Sequence, residues 1–439
     1  MNQSIISQKK FAAAAIPFIF SNMTQPLLGA VDVAVVGRLM DSSYISGVSV
    51  GVTIFNTIYW IFGFLRVSTT GFVAQAMGRK SREDEIKAVL RPLVIALAVG
   101  VIIVLVQSPL WNICEDFLCS DTKVAAQAHI YYSVLIWAVP LVFINYVCLG
   151  YIMGIGLLKQ AVILQSIGNV VNVALDLLFV NGMGMQVMGV AAATLISQIV
   201  TAALGIYLVC RHGKFTWEDT KTEGIWDRTE VKNMLLVNAD MMIRTTCLVF
   251  VSNLFVKYGG QFGSDVLAAN SVMGQIIDFM TYAYEGLGNA ASTFSGRAWG
   301  EKNAAFMKEV IVKTLQWSGV LIVLSLLIFH ILKSQIIGLF TDIPSVVTEV
   351  NKYMEMIYLF PFAACMGFSI YGIFSGATMP RPGRNALIIA TVIFILLAKV
   401  LMPSCGNGGL WVARISYFAG RTVFILPYMN RLKIEKGSV

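Results

Sequence analysis

Residues 17–37 read PFIFSNMTQPLLGAVDVAVVG. The stretch has the length and apolar character of a membrane helix, yet it carries Pro17, Pro26 and the carboxylate of Asp32. A proline inside a helix removes a backbone donor and presses on the preceding turn, so either proline can place a bend here. An ionisable side chain at membrane depth is costly, and its default reading is functional. The rest of the chain shows whether this helix sits in a membrane protein and what Asp32 is for.

The chain has 439 residues, of which 57% are hydrophobic and only 13% charged, and its mean hydropathy is +0.74. Apolar runs of about 20 residues, enough to cross a hydrocarbon core of about 30 Å, recur from end to end. A β-barrel would show alternating segments of about ten residues instead. The sequence therefore predicts an all-α polytopic membrane protein with twelve transmembrane helices. They fall near 10–36, 45–77, 88–111, 124–154, 160–181, 188–210, 232–257, 265–293, 308–331, 346–376, 385–402 and 409–430. No cleavable signal peptide is expected, because the run after Lys9 and Lys10 is too long for one.

The net charge of +8 is topological rather than a nucleic-acid footprint. With the N-terminus inside, twenty-one of the 32 Lys and Arg fall in inner loops, and only Arg38, Lys123, Lys257, Lys333 and Lys352 lie outside. That asymmetry is the positive-inside pattern and predicts an inner-membrane protein with both termini in the cytoplasm. His129, His212 and His330 are isolated and show no metal-ligand spacing. There is no Gly-Lys-Ser/Thr phosphate loop, hence no ATPase module. No His-Asp or Ser-Lys constellation suggests an enzyme, and no organic cofactor is expected.

The two halves of the chain look related. The stretch FGFLRVSTTGFVAQAMGRKSREDEIKAVL beginning at Phe62 lines up with YEGLGNAASTFSGRAWGEKNAAFMKEVI beginning at Tyr284, so that Gly78 faces Gly300. Each half holds six spans and keeps the same orientation, a transporter signature. The expected organisation is an N-lobe over 1–210, a hydrophilic inter-lobe linker over 211–231 and a C-lobe over 232–439.

Polar residues fall in stripes on three helices of the first half. Gln165, Asn169, Asn172 and Asp176 follow one another at spacings of 4, 3 and 4, so they share an arc of about 60° on one helical face. Ser21, Gln25 and Asp32 share a face of span 1, and Thr194, Gln198 and Thr201 one of span 6. The stripes are expected to face a hydrated pocket, with Gln25, Gln165, Asn169 and Gln198 as substrate-cavity candidates. Asp32 and Asp176 near it form a coupled pair that can carry a proton. With the oxygens of Asn172 and Thr194 the same pair could instead hold Na⁺, a hard cation that takes oxygen ligands.

The corresponding span of the second half, IIATVIFILLAKVLM, is apolar, so coupling chemistry is expected in the first half only. A second set of charges, Arg66, Asp240, Arg244 and Glu285, lies at similar depth toward the cytoplasm and is expected to form a layer of gating ion pairs. Arg414 and Arg421 on the last span could meet an anionic substrate or lipid.

Taken together, IPFIFSNMTQPLLGAVDVAVVGRL (16–39), FGFLRVSTTGFVAQAMG (62–78), GNVVNVALDLLFVNGMGMQVMGVAAATLISQ (168–198), NADMMIRT (238–245), GSDVLAANSV (263–272) and YGIFSGAT (371–378) resemble the MATE (multidrug and toxic compound extrusion) family, in its DinF-like branch within the MOP flippase superfamily. The resemblance implies a V-shaped, two-lobe antiporter that exports amphipathic, often cationic compounds in exchange for H⁺ or Na⁺, with H⁺ preferred here. It places Asp32 at the first-helix carboxylate, Asn172 and Asp176 at the fifth-helix pair, Thr194 at the sixth-helix hydroxyl and Pro17 at the first-helix bend. Two departures stand out: Tyr371 and Ser292 occupy positions that are often acidic in relatives. The expected partners are small amphipathic or cationic substrates and membrane lipids, not nucleic acid, and the chain is expected to act as a monomer. The alternative within the superfamily is a lipid or lipid-linked oligosaccharide flippase, which would need a basic cavity.

Overall fold

A computed structural model of the chain describes residues 6–20, 22, 42–118, 122–216, 219 and 224–434. Among the described residues the secondary structure is helical throughout, without strands. Nine segments among them are long and apolar enough to cross a membrane, and the last, Arg381–Leu432, holds two spans. Span 1 is described only in its first part, α1 (8–20), which runs without interruption through Pro17.

The chain forms two compact units, Met23–Met234 and Met1–Asn22 with Leu235–Val439. The first unit contains α2 (Ser42–Phe62), α3 (Phe64–Arg79), α4 (Arg82–Leu105), α5 (Gln107–Leu118), α6 (Thr122–Leu135), α7 (Val139–Gly154), α8 (Leu158–Asp176) and α9 (Gln186–Gly213). The second contains α10 (Arg228–Gly259) from Leu235 onward, α11 (Ser264–Gly300), α12 (Ala304–Gly338), α13 (Pro344–Lys352), α14 (Met354–Gly376) and α15 (Arg381–Ile425). Helix α15 is broken at Gly406, whose φ of 56° and ψ of −136° are not helical. Phe394 meets Tyr417 edge-on at 6.4 Å, and Ala390 faces Gly420, so the two pieces run antiparallel.

Start signals and stop signals explain where helices begin and end. Ser81 caps α4 by accepting from the Asp84 N–H, and Glu83, Asp84 and Glu85 fill its first turn, where they complement the positive end of the helix. Asn303 caps α12 in the same way, accepting from the Phe306 N–H at 3.0 Å. Capped polar turns of this kind carry helices beyond their apolar windows. Span 3 therefore begins at Arg82 rather than near 88.

The internal repeat is a structural fact. Lys80 and Lys302 hold left-handed backbone (φ 54° and 49°), as do Gly156 and Thr378 (85° and 53°) and Gly184 and Gly406 (67° and 56°). Each pair is 222 residues apart, the offset that aligns Gly78 with Gly300 in the sequence. Helix packing repeats too. A side chain at Gly150 would come within 2.7 Å of the Arg66 carbonyl oxygen, and one at Gly372 would overlap the Gly288 carbonyl oxygen, again at an offset of 222. Small residues let helix backbones approach closely inside a bilayer, where packing rather than hydrophobicity drives association.

The start of the chain packs within the second unit. The Ile6 N–H donates to Glu309 at 2.8 Å, the Gln8 amide bonds Gln316 at 2.7 Å, and the Trp317 indole N–H donates to Gln8 at 3.1 Å. Phe11 stacks on Phe294 at 5.6 Å. Gly286 leaves room for the backbone of Ile19, 2.6 Å from where a side chain would start. Packing therefore groups residues 6–20 with α11 and α12.

Candidate functional site

In the first unit the polar stripe of α8 is brought against α9. Asn172 and Asp176 are buried, Asp176 completely, while Gln165 and Asn169 are half-buried. The Asn172 Nδ2 donates to Thr194 Oγ1 at 3.3 Å, and the Thr194 hydroxyl donates to the Val190 carbonyl at 3.1 Å. Lower on the same helices, Gly168 admits the Thr201 hydroxyl, whose oxygen would lie 2.5 Å from a side chain there. Gln198 accepts from the Asn145 amide of α7 at 2.8 Å. Asn145 escaped the sequence reading; its signal was a lone amide in the apolar run VPLVFINYVCLG.

Directly after Asp176 the helix widens into a π-turn over Leu177–Gly182. Such turns are rare and collect at functional sites. The sequence-predicted members Asn172, Asp176 and Thr194 thus gather at the point where α8 changes its winding. Asp32, Gln25 and Pro26 lie outside the described residues, and Pro17 is half-buried in α1.

The second unit holds the other charges differently from the expected gate. Among the described residues Asp240 is ion-paired with Arg384 and, at 3.4 Å, with Arg381, not with Arg244. Both arginines lie in the first turn of α15, which begins earlier than its apolar pattern. Arg244 lies over the Tyr371 ring at 3.8 Å. Tyr371, one of the departures noted in the sequence, is the surface that receives it. Glu285 and Arg66 are half-buried and form no ion pair among the described residues.

Two more arginines lie against rings. Arg414 sits over Phe255 at 4.1 Å, and Arg421 over Phe368 at 3.5 Å. Arg421 is 1% exposed, and none of its three side-chain nitrogens has a hydrogen-bond partner among the described residues. Stacking on an aromatic face is worth about 2 kcal/mol when desolvated. Taking an ion out of water costs several kcal/mol even after relaxation. The ring therefore offsets only part of the cost of burying Arg421.

A repeated membrane scaffold with polar groups buried inside each unit defines a polytopic membrane transporter, and comparison with known proteins gives its family. The MatE family model matches residues 17–178 and 241–400. The two matches start 224 residues apart and end 222 apart, in register with the structural repeat. The chain belongs to the MatE family, whose members are transporters, not enzymes.

The chain is similar to the DNA damage-inducible protein F of Escherichia coli (strain K12), with 31% identity over 97% of this chain and 92% of that protein. It is 20% identical to the probable multidrug resistance protein NorM of Pasteurella multocida (strain Pm70), over 99% of this chain and 96% of that protein. Among solved structures, a MOP superfamily transporter from Pyrococcus furiosus Vc1 superposes with a TM-score of 0.87 at 18% identity, covering 98% of this chain and 96% of that one. An outward-facing multidrug resistance MATE family transporter superposes at 0.85 and 19% identity, with the same coverage. These structures share the fold: an all-α, multi-pass membrane architecture of twelve helices.

Proposed function

We propose that this protein is an H⁺-coupled antiporter that exports amphipathic, often cationic organic compounds by alternating access. The observation that carries the reading is Asp176, fully buried in a membrane helix beside the Asn172–Thr194 hydrogen bond and at the start of a π-turn. A carboxylate is retained at such a place when its charge is used. Asp32 is assigned as its partner, and the two would share the coupling proton.

Neutralising the pair releases its polar contacts and lets span 1 bend at Pro17 or Pro26, which changes the cavity that holds the substrate. Coupling requires only that proton and substrate favour different states. The names of relatives support the cargo: NorM is called a multidrug resistance protein and MepA of Staphylococcus aureus a multidrug export protein. The same oxygens suit Na⁺, the coupling ion that the test must distinguish. In this reading the lobes are 1–210 and 232–439, joined by the linker 211–231. The protein works as a monomer in the inner cell membrane, with lipids around it and both termini in the cytoplasm.

The test is efflux of ethidium from cells producing wild-type or Asp176→Asn protein at equal membrane levels. Asparagine keeps the shape and removes the titratable group. Export is expected to fall to the level of cells without the transporter; wild-type export would overturn the assignment.

A further inference from the structure

Arg421 and Tyr417 lie one turn apart on the second piece of α15, and both are buried. The three guanidinium nitrogens of Arg421 and the Tyr417 hydroxyl have no hydrogen-bond partner among the described residues. Phe368 covers a face of the guanidinium at 3.5 Å. A ring on the face leaves the donors unsatisfied, because all five N–H groups lie in the guanidinium plane.

Arg244 lies over Tyr371 and Arg421 over Phe368, and these two rings are three residues apart on α14, so both guanidinium groups meet the same stretch of one helix. The Arg244 Nε is itself buried without a hydrogen-bond partner among the described residues. Glu285 is too far from either arginine for an ion pair among the described residues. Two like charges in a low-dielectric interior are both relieved by an anion that meets them together.

The repeat shows that the scaffold does not need this cluster. At the offset of 222, Arg421 corresponds to Ile199, Tyr417 to Leu195 and Arg244 to Asn22. Ile199 is 47% exposed, so the equivalent place in the first unit is an apolar surface position. The first unit carries Leu195 and Ile199 on the same framework, so the repeat itself does not call for Tyr417 and Arg421.

We propose that Arg421, Arg244 and Tyr417 form an oxyanion site in the second unit, which binds the carboxylate, phosphate or sulfonate of an amphipathic molecule. The planar fork of arginine matches such groups bidentately, and the neighbouring rings of Phe368 and Tyr371 suit an apolar body. The site deepens the exporter reading by adding an anionic group to the chemistry of the cargo. Its test measures binding without any ion gradient, so failure of coupling and failure of this site are separate results.

The experiment uses full-length protein in detergent and two dyes: rhodamine 110, which has a free carboxylate, and rhodamine 123, its methyl ester. Fluorescence anisotropy gives Kd for wild type, Arg421→Gln and Arg244→Gln. The Kd of the carboxylate dye is expected to rise on the order of tenfold in each variant, as for loss of a charge-assisted pair, while that of the ester stays within about twofold. Arg244 is only half-buried, so its variant keeps the test open if Arg421→Gln does not fold.

A second arm compares thermal unfolding in phosphatidylglycerol and phosphatidylcholine nanodiscs. Stabilisation by phosphatidylglycerol that disappears in the variants assigns the anion to a lipid headgroup. Dye selectivity without lipid dependence assigns it to a soluble cargo. Equal loss for both dyes, or no change in either arm, overturns the proposal.

Discussion

The Asn172 side-chain amide donates to the Thr194 hydroxyl at 3.3 Å, one helical turn before the fully buried carboxylate of Asp176. Thr194 spends its own proton on the Val190 carbonyl, so its oxygen is committed as an acceptor. One hydrogen bond thereby ties α8 to α9 and fixes which edge of the Asn172 amide carries the carbonyl oxygen. The carboxylate follows on the same face, where the helix opens into its π-turn.

Thr194→Val keeps the shape of the side chain and deletes the acceptor. Interhelical hydrogen bonds in membranes average about 0.6 kcal/mol, and a buried donor left without a partner costs about 1–3 kcal/mol. The expected result is a fall in unfolding stability of about 1 kcal/mol with a larger proportional loss of ethidium efflux. Thermal unfolding in detergent alongside efflux in cells checks both; unchanged efflux would remove Thr194 from the site.

Gly372→Ala should destabilise the second unit, because the added carbon meets the backbone carbonyl of Gly288, which cannot swing away. Overpacking of this kind costs about 1–3 kcal/mol. Gly319→Ala on α12 meets nothing within 4 Å and should be neutral or stabilise by about 0.5–1 kcal/mol. Thermal unfolding of the two variants side by side should show a lowered midpoint for Gly372→Ala and an unchanged or raised one for Gly319→Ala.

Arg91 holds the segment that leads into α10. Its buried guanidinium donates to the carbonyls of Ile225 at 2.5 Å and Gly224 at 2.8 Å, and to Glu230 at 2.5 Å. Arg91→Met keeps the stem and removes all three bonds. Trypsin should then cut after Arg228 several-fold faster than in wild type, since exposed and loosened segments are where proteolysis concentrates. An unchanged cleavage rate would show that the segment is held by Ile225 packing alone.

The spans and the repeat were legible in the sequence because both are written in local patterns. Apolar windows mark helices, and paired turns such as Gly78-Arg79-Lys80 and Gly300-Glu301-Lys302 recur at one offset. The meeting of Asn172 and Thr194 was legible because a spacing of four puts polar groups on one face. The π-turn after Asp176 was not, since Leu177-Leu178-Phe179-Val180 is unremarkable for an α-helix. Nor were the partners of Asp240. Arg381 and Arg384 follow Pro380, read as loop, and only tertiary packing brings that turn to α10. Depth in the membrane suggested opposite charges as neighbours, but Arg244 lies over an aromatic ring.

The central claim is that the buried first-unit carboxylate couples export to protons. Its most direct test is rhodamine 123 uptake into proteoliposomes with one gradient imposed at a time, using molecules oriented so that export fills the lumen. An acidic lumen at equal Na⁺ should drive uptake that Asp176→Asn abolishes, and a Na⁺-loaded lumen at equal pH should drive none. Uptake driven by Na⁺ at equal pH, or proton-driven uptake that survives Asp176→Asn, would contradict it.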